Sequence, residues 1–344
     1  MAWEIGAPPD QQRRRSDRDV RRSAAHERPR DAYRDIPILQ RPTWNHEVAA
    51  YFYFGGISAG SAVLGSLSEL FAGDRYHTLT RVAQAVSFAA LLPCPPLLID
   101  DLGMPSRFHH MLRIFKPSSP MNLGAWTLTV HGSMVTLQAM RMLAVAGKLP
   151  VAGKLLRQLP GGALAAASLP AALTLGGYTG VLLGTTSVPV WSTSPLLGAL
   201  FMASSLNTGT AATSLVTHVV GGQEAGHDPP TLLSLSFGSV ELAVLGGYLA
   251  SSGRAAQPLF RGRGRLLLAG TVAATVIGLS CEVAGTLVPK RRRLFGAIAS
   301  GATLVAGACL RWSIVRAGAA SAADREGTLE AMAPRPGAPG WGNG

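Results

Sequence analysis

Apolar positions along this chain neither alternate nor recur at a short period; they run. Eight apolar stretches, at about 48–71, 81–99, 121–143, 163–186, 195–219, 231–252, 265–288 and 294–312, are separated by short polar or basic loops. The clearest, 48–68, is twenty-one consecutive residues without a charge. A buried helix of a soluble protein rarely exceeds about 14 such residues, whereas a bilayer crossing needs about 17–25. The pattern predicts an all-α integral membrane protein, a bundle of about eight transmembrane helices. It divides the chain into an arginine-rich, disordered tail over 1–42, a transmembrane domain over 43–316 and a disordered tail over 317–344.

Local punctuation supports these spans. Ser119-Pro120 and Ser194-Pro195 each read as a helix start, with serine as N-cap and proline at the first helical position. That likeness between the third and fifth spans hints at an internal duplication, as in other membrane folds built from repeats. Gly56 and Gly60, and Gly176, Gly180 and Gly184, recur every fourth residue and predict close helix–helix contact. Pro93, Pro95 and Pro96 must break the hydrogen-bond ladder of the second span. With eight crossings, both tails and the loops at about 100–120, 187–194 and 253–264 share one face, the N-side. Short-loop basic residues are nearly balanced between the faces, and the arginine-rich tail favours a cytoplasmic N-side.

Composition sharpens the class. The 344 residues are 47% hydrophobic and 15% charged, and the net charge of +12 fits anionic head groups and topology signals rather than nucleic acid. The lipid bilayer is thus the first partner. Cys94, Cys281 and Cys309 lie inside apolar spans without a C-x-x-C pair, so no iron–sulfur cluster is expected on this chain. Only His131 and His218 fall within or at the end of spans, at different depths, which argues against a b-type haem. No metal site is expected. Arg13-Arg14-Arg15 is followed by no apolar region, so no cleavable signal is expected.

An ionisable group at membrane depth is costly and marks a functional candidate. Trp44-Asn45-His46-Glu47 opens the first span, Asp100-Asp101 closes the second, and Tyr178 lies near the same face in the fourth. Such donors, an imidazole and carboxylates suit the two carbonyls and the protons of a quinone. The same residues also suit an interfacial belt with helix caps. Deeper, His131, Glu241, Glu69, Glu282 and Arg141 form a candidate proton path toward the far side, or simply pair between helices.

The stretch from Trp44 to Gly60, with Tyr51-Phe52-Tyr53-Phe54-Gly55-Gly56, resembles the first span of the NrfD/PsrC family. So do Asp101-Leu102-Gly103-Met104-Pro105-Ser106-Arg107-Phe108, Phe115-Lys116-Pro117-Ser118-Ser119-Pro120-Met121 with Gly124-Ala125-Trp126, and Gly177-Tyr178-Thr179-Gly180. The resemblance covers about 43–210 well and the last three spans in hydropathy only. It implies a polysulfide reductase-type, haem-free membrane subunit of a respiratory oxidoreductase complex in the cytoplasmic membrane. Such a subunit exchanges electrons between a quinone (menaquinone or ubiquinone) and a four-cluster ferredoxin-like subunit, wired in turn to a molybdopterin catalytic subunit. It is not an autonomous enzyme. By the same resemblance Asn45, His46 and Tyr178 hold the quinone, with Asp101 or His46 exchanging protons. The rival readings are a secondary transporter and a membrane anchor without a quinone site.

Overall fold

The computed structural model describes residues 38–72, 76–101, 105–149, 153–220 and 231–332. The expectations for residues 1–37, for the loop at 221–230 and for 333–344 fall outside them, as does Leu102-Gly103-Met104 of the second loop. The described chain is helical, with no strand among the described residues. Its helices are α1 (His46–Phe71), α2 (His77–Leu91), α3 (Cys94–Asp101), α4 (Pro120–Val145), α5 (Gly153–Gln158) and α6 (Gly161–Gly184). They continue with α7 (Pro189–Ser192), α8 (Leu197–Val220), α9 (Thr231–Ser252), α10 (Gly262–Leu287), α11 (Arg292–Ala323) and α12 (Arg325–Met332).

Eight long helical segments therefore stand where the eight apolar runs predict them, the second broken between α2 and α3. Six are long and apolar enough to cross a membrane by length and composition; α4 and α8 have the length but a more polar content. For α8 the cause is its position. It packs against α1, α2, α6, α9 and α11 at once, so Ser204, Ser205, Asn207, Thr208, Thr210 and Thr213 are buried against protein rather than lipid. A helix shielded on every side has no need of an apolar outer face.

The glycine patterns act as predicted. A Cβ on Gly60 of α1 would overlap the Ser205 carbonyl of α8, and one on Gly209 of α8 would overlap the α1 backbone at Gly60 and Ser61. Gly180 of α6 meets the backbone of Leu197 and Gly198 in the same way. Three helices thus cross at backbone contact, and dispersion across this close packing stands in for the hydrophobic drive that lipid removes.

The prolines break the second span where expected. α2 ends at Leu91, and the ladder resumes with Leu97 N–H donating to the Pro93 carbonyl at 3.1 Å. The Cys94 thiol donates to the Ala90 carbonyl at 3.5 Å, so one carbonyl at the break gains a partner.

One boundary differs. Residues 317–332, expected as the start of a disordered tail, are helical: α11 continues to Ala323 and α12 follows. Ala317, Gly318, Ser321 and Ala322 are buried, and a side chain on Gly318 would collide with the Trp191 ring. Small residues carry little hydropathy, yet here they form the seat for a fully buried tryptophan.

On this face the loops meet the last described helices. Trp44 stacks on Trp191 with ring centroids 5.4 Å apart, Tyr248 donates to the Val190 carbonyl at 2.5 Å, Val190 N–H donates to Ser321 Oγ at 3.1 Å, and Arg254 pairs with Glu330.

Candidate functional site

Asn45 is the N-cap residue of α1, with extended backbone, yet its side chain makes no capping bond. The interfacial-cap explanation therefore does not hold for Asn45, whose amide stays available. His46 begins the helix, and its Nδ1 accepts a hydrogen bond from Trp312 Nε1 of α11 at 3.0 Å. Because the indole N–H can only donate, the neutral imidazole carries its proton on Nε2. His46 thus presents an N–H donor on its other side, held in orientation by a residue 266 positions away.

These groups line a cavity of about 640 Å³ between the entry to α1 and the last turns of α11. Trp44, Asn45 and His46 form one wall, Trp312 and Arg316 the other, and Arg41 the rim. Trp44 is backed by Trp191, whose indole donates to the Ile314 carbonyl at 2.8 Å. The result is a slot lined by two tryptophans, the Asn45 amide, the His46 imidazole and two guanidinium groups, chemistry that suits a planar ring bearing carbonyl oxygens.

Tyr178 and Asp101 lie elsewhere. Tyr178 donates its hydroxyl to the Pro120 carbonyl at the start of α4 and packs on Gly124, where a Cβ would leave the ring no room. Tyr51 of α1 is its neighbour. Tyr51 follows His46 by five residues, about 140° around the helix at 3.6 residues per turn, so the tyrosine pair and the histidine occupy different faces of α1. With its proton committed to Pro120, Tyr178 can accept but not donate. Asp101 instead ends α3, where partial burial and then the nearby Glu47 and Asp100 charges push its carboxyl up from the ordinary range.

The deep polar residues form two separate groups. In the first, Ser58 Oγ meets His131 Nε2 at 2.9 Å and Ser87 Oγ at 3.3 Å, while Ser87 Oγ donates to the Ser58 carbonyl at 2.8 Å. Two turns further, Ser168 joins Ser66 and Gln138, each at 2.9 Å. Glu69 and Arg141 then both close on Gly161 at the start of α6. In the second, Asn207 Nδ2 donates to Glu241 Oε2 at 2.6 Å, and Glu282 lines the cavity that Asn207 also lines. His131, Glu69 and Arg141 sit in the α1–α2–α4–α6 half, Glu241 and Glu282 in the α8–α11 half.

Three residues central to this geometry escape the sequence reading. Trp312 and Arg316 look like the flank of a last span, and only the fold brings them to His46. Arg311 is fully buried: it bonds Ser204 Oγ, reaches Ser205 Oγ at 3.2 Å and the Phe201 carbonyl at 3.3 Å, and lies 5.0 Å from the Phe201 ring centroid. An arginine within Cys309-Leu310-Arg311-Trp312 is the one available signal, and an assumed span end at 312 disguises it as a membrane-edge residue. Loop residues 111–116 have a plain structural role: Asn122 accepts from Lys116 N–H at 2.7 Å and donates to the Met111 and Ile114 carbonyls at 2.6 and 3.0 Å.

Among the described residues no group of three or more His, Cys, Asp or Glu gathers as a metal site would require. Fold and composition define an all-α, multi-pass integral membrane protein. The chain belongs to the NrfD family, whose sequence profile, described as "Polysulphide reductase, NrfD", matches residues 38–323. It is 22% identical over 314 residues to the C subunit of selenate reductase from Mesobacillus selenatarsenatis, covering 79% of this protein and 73% of that one. It is 26% identical over 178 residues to a putative membrane C subunit of dimethyl sulfoxide reductase from Halobacterium salinarum, covering 48% and 41%. To the C chain of polysulfide reductase from Wolinella succinogenes it is 28% identical over 191 residues, covering 50% and 57%. The match thus spans only about half the length of the latter two. By name each of these relatives is a subunit or chain of a reductase, and one of them is a membrane subunit.

Proposed function

We propose that this protein is the quinone-binding membrane subunit of a respiratory oxidoreductase complex in the cytoplasmic membrane, with the quinone headgroup in the slot between α1 and α11. The observation that carries the reading is the pairing of an uncapped Asn45 amide with a His46 whose Nε2–H is aimed by Trp312. Two donors in a tryptophan-lined slot match the hydrogen-bonding demand of a quinone carbonyl. When bound, a menaquinone or ubiquinone supplies two-electron, two-proton redox chemistry that side chains cannot. The protein binds and orients: Trp44 and Trp312 flank the ring, and Asn45 and His46 donate to its oxygen. Arg41 and Arg316 stabilise negative charge that builds there, and Glu47, Asp100 and Asp101 offer carboxylates that can take up protons at the same membrane face. Electrons would pass to or from an iron–sulfur partner of ferredoxin-like type docked on the N-side, joined to a molybdopterin catalytic subunit. The names of the relatives support a reductase complex; the quinone and these partners are our inference from the slot and the family.

The test is the affinity of the purified full chain for a short-tailed quinone, read by quenching of tryptophan fluorescence. A lost hydrogen bond costs about 0.5–1.5 kcal/mol, so Asn45→Ala and His46→Ala should each weaken binding roughly two- to tenfold. If the parent binds no quinone, or both variants bind like the parent, the slot is not the site and the membrane-anchor reading replaces it.

A further inference from the structure

The second half of the bundle encloses a polar cavity that the quinone slot does not use. We propose that this cavity binds a small monovalent cation of the sodium class, held by side-chain oxygens of α8, α9, α10 and α11. The site lies apart from the slot and does not depend on a quinone.

Helical spacing brings the ligands together. Thr275, Gly278 and Glu282 follow one another at steps of three and four on α10 and so share a face, as Ser300 and Thr303 do on α11. With Asn207 of α8 and Ser234 of α9 they wall a cavity of about 10 Å³, room for about one water molecule or one small ion. Asn207 stands near the middle of α8 and Thr275 near the middle of α10, the depth at which sodium sites of membrane proteins sit between helices. A Cβ on Gly278 would come within 2.8 Å of Thr303 Oγ1. The α11 hydroxyl therefore approaches α10 only because residue 278 has no side chain.

The cavity wall presents more acceptors than one water can meet. Thr275 donates its hydroxyl proton to the Thr271 carbonyl at 2.8 Å, so toward the cavity it can only accept. Asn207 Nδ2 donates to Glu241 Oε2 at 2.6 Å, which fixes the amide and leaves Oδ1, an acceptor alone. An ionised Glu282 adds a third acceptor with no proton to give. Ser300 is 2% exposed, and its Oγ has no protein partner, so it donates to none of them. A water molecule brings two hydrogens, which leaves at least one acceptor unmet where an unmet polar atom is costly. A cation meets all of them at once, takes the Ser300, Thr303 and Ser234 oxygens as well, and neutralises a carboxylate at membrane depth.

The same ligand set selects the ion. Oxygen ligands alone suit a hard cation, one carboxylate suits one charge, and the small volume favours sodium over the larger potassium. Glu282 also lines a second cavity, of about 20 Å³, with His218 and Arg292. Its two oxygens carry about four lone pairs and can serve both. Glu241 lines neither cavity and acts on the site only by holding Asn207.

The test is thermal unfolding of the purified full chain in nanodiscs of neutral lipid, with sodium chloride replacing choline chloride at constant ionic strength. A ligand that binds the folded state raises the unfolding temperature with its concentration. Sodium should raise it saturably by several degrees, and potassium much less. Glu282→Gln keeps the shape and removes the charge, and should weaken the apparent sodium affinity by roughly ten- to a hundredfold. Ser300→Ala should weaken it about two- to tenfold. In choline this variant should be as stable as the parent or more so, because it removes an unmet hydroxyl; its loss of sodium response is then not a loss of fold. Ser236→Ala, exposed on α9 and outside the cavity, should respond like the parent. Equal unfolding temperatures in sodium and choline would mean that the cavity holds only water, and would overturn the site. So would a parental sodium response in both Glu282→Gln and Ser300→Ala, or in Ser300→Ala alone where Glu282→Gln does not assemble. A response to potassium as large as that to sodium would overturn the sodium class.

Discussion

At the scale of single residues, the roles proposed for Asn45 and His46 depend on what surrounds them. Trp312 lacks any acceptor function, so its bond to His46 Nδ1 dictates which imidazole nitrogen faces the slot. Trp312→Phe keeps an aromatic wall and deletes that instruction. Quinone affinity should fall about two- to tenfold, the value of one hydrogen bond, in the same titration that tests His46→Ala. The double variant should then be no worse than His46→Ala alone, since phenylalanine keeps the aromatic wall and the deleted N–H acts through the histidine; additive losses would show that the indole contributes to binding by more than orienting His46. Asn45 and His46 were legible in the sequence as a polar pair at a span's mouth. Trp312, Arg316 and Arg311 were not, because they are local to the site only after the backbone has crossed the bundle and returned. Tyr178 shows the converse. Its motif reads clearly in the sequence, but its hydroxyl is bound to Pro120, and the structure gives it a role in seating α4 on α6.

At the scale of elements, the apolar runs fixed where helices lie, and the prolines fixed the break after α2, because both signals are carried by consecutive residues. The reach of α11 was hidden, since Ala317, Gly318, Ser321 and Ala322 look like low-complexity tail until Trp191 is placed on them. The same logic makes the central crossing testable. Gly60→Leu puts side chain where the Ser205 backbone lies, and neither helix can retreat without losing its other neighbours. The detergent-solubilised protein should lose at least about 1–3 kcal/mol of stability, the usual cost of overpacking, seen as a lower unfolding temperature. Gly301→Ala, where a Cβ meets nothing within 4 Å, is the control and should leave that temperature near the parental value. Equal behaviour of the two would mean that α1 and α8 do not meet at backbone contact. Trp191→Ala should also destabilise, by roughly 3–5 kcal/mol for a fully buried aromatic, and should loosen the slot by removing the support behind Trp44.

At the scale of the molecule, the fold separates two sets of polar groups. Helices α1 to α6 and the end of α11 shape the N-side face with its slot, loop and carboxylates, while α8 to α11 enclose the polar groups that lead away from it. This separation depends on how the bundle sits in the membrane. Trp44, Trp191, Arg254 and Glu330 gather on one face, which requires an even number of passes between them through the bundle. Six helices carry the length and apolar content of spans on their own; α4 and α8 would cross as well, their polar residues turned to protein. Reporter fusions at Arg41, Lys116, Arg261 and Met332 should therefore report one side, and fusions at Lys148 and Arg291 the other. The arginine-rich sequence ahead of residue 38 favours the cytoplasm for the first group. If Lys116 and Lys148, which bracket α4, report the same side, α4 does not span. The His131 ladder would then lie outside the hydrocarbon, and its polar side chains would need no role within the membrane to explain them.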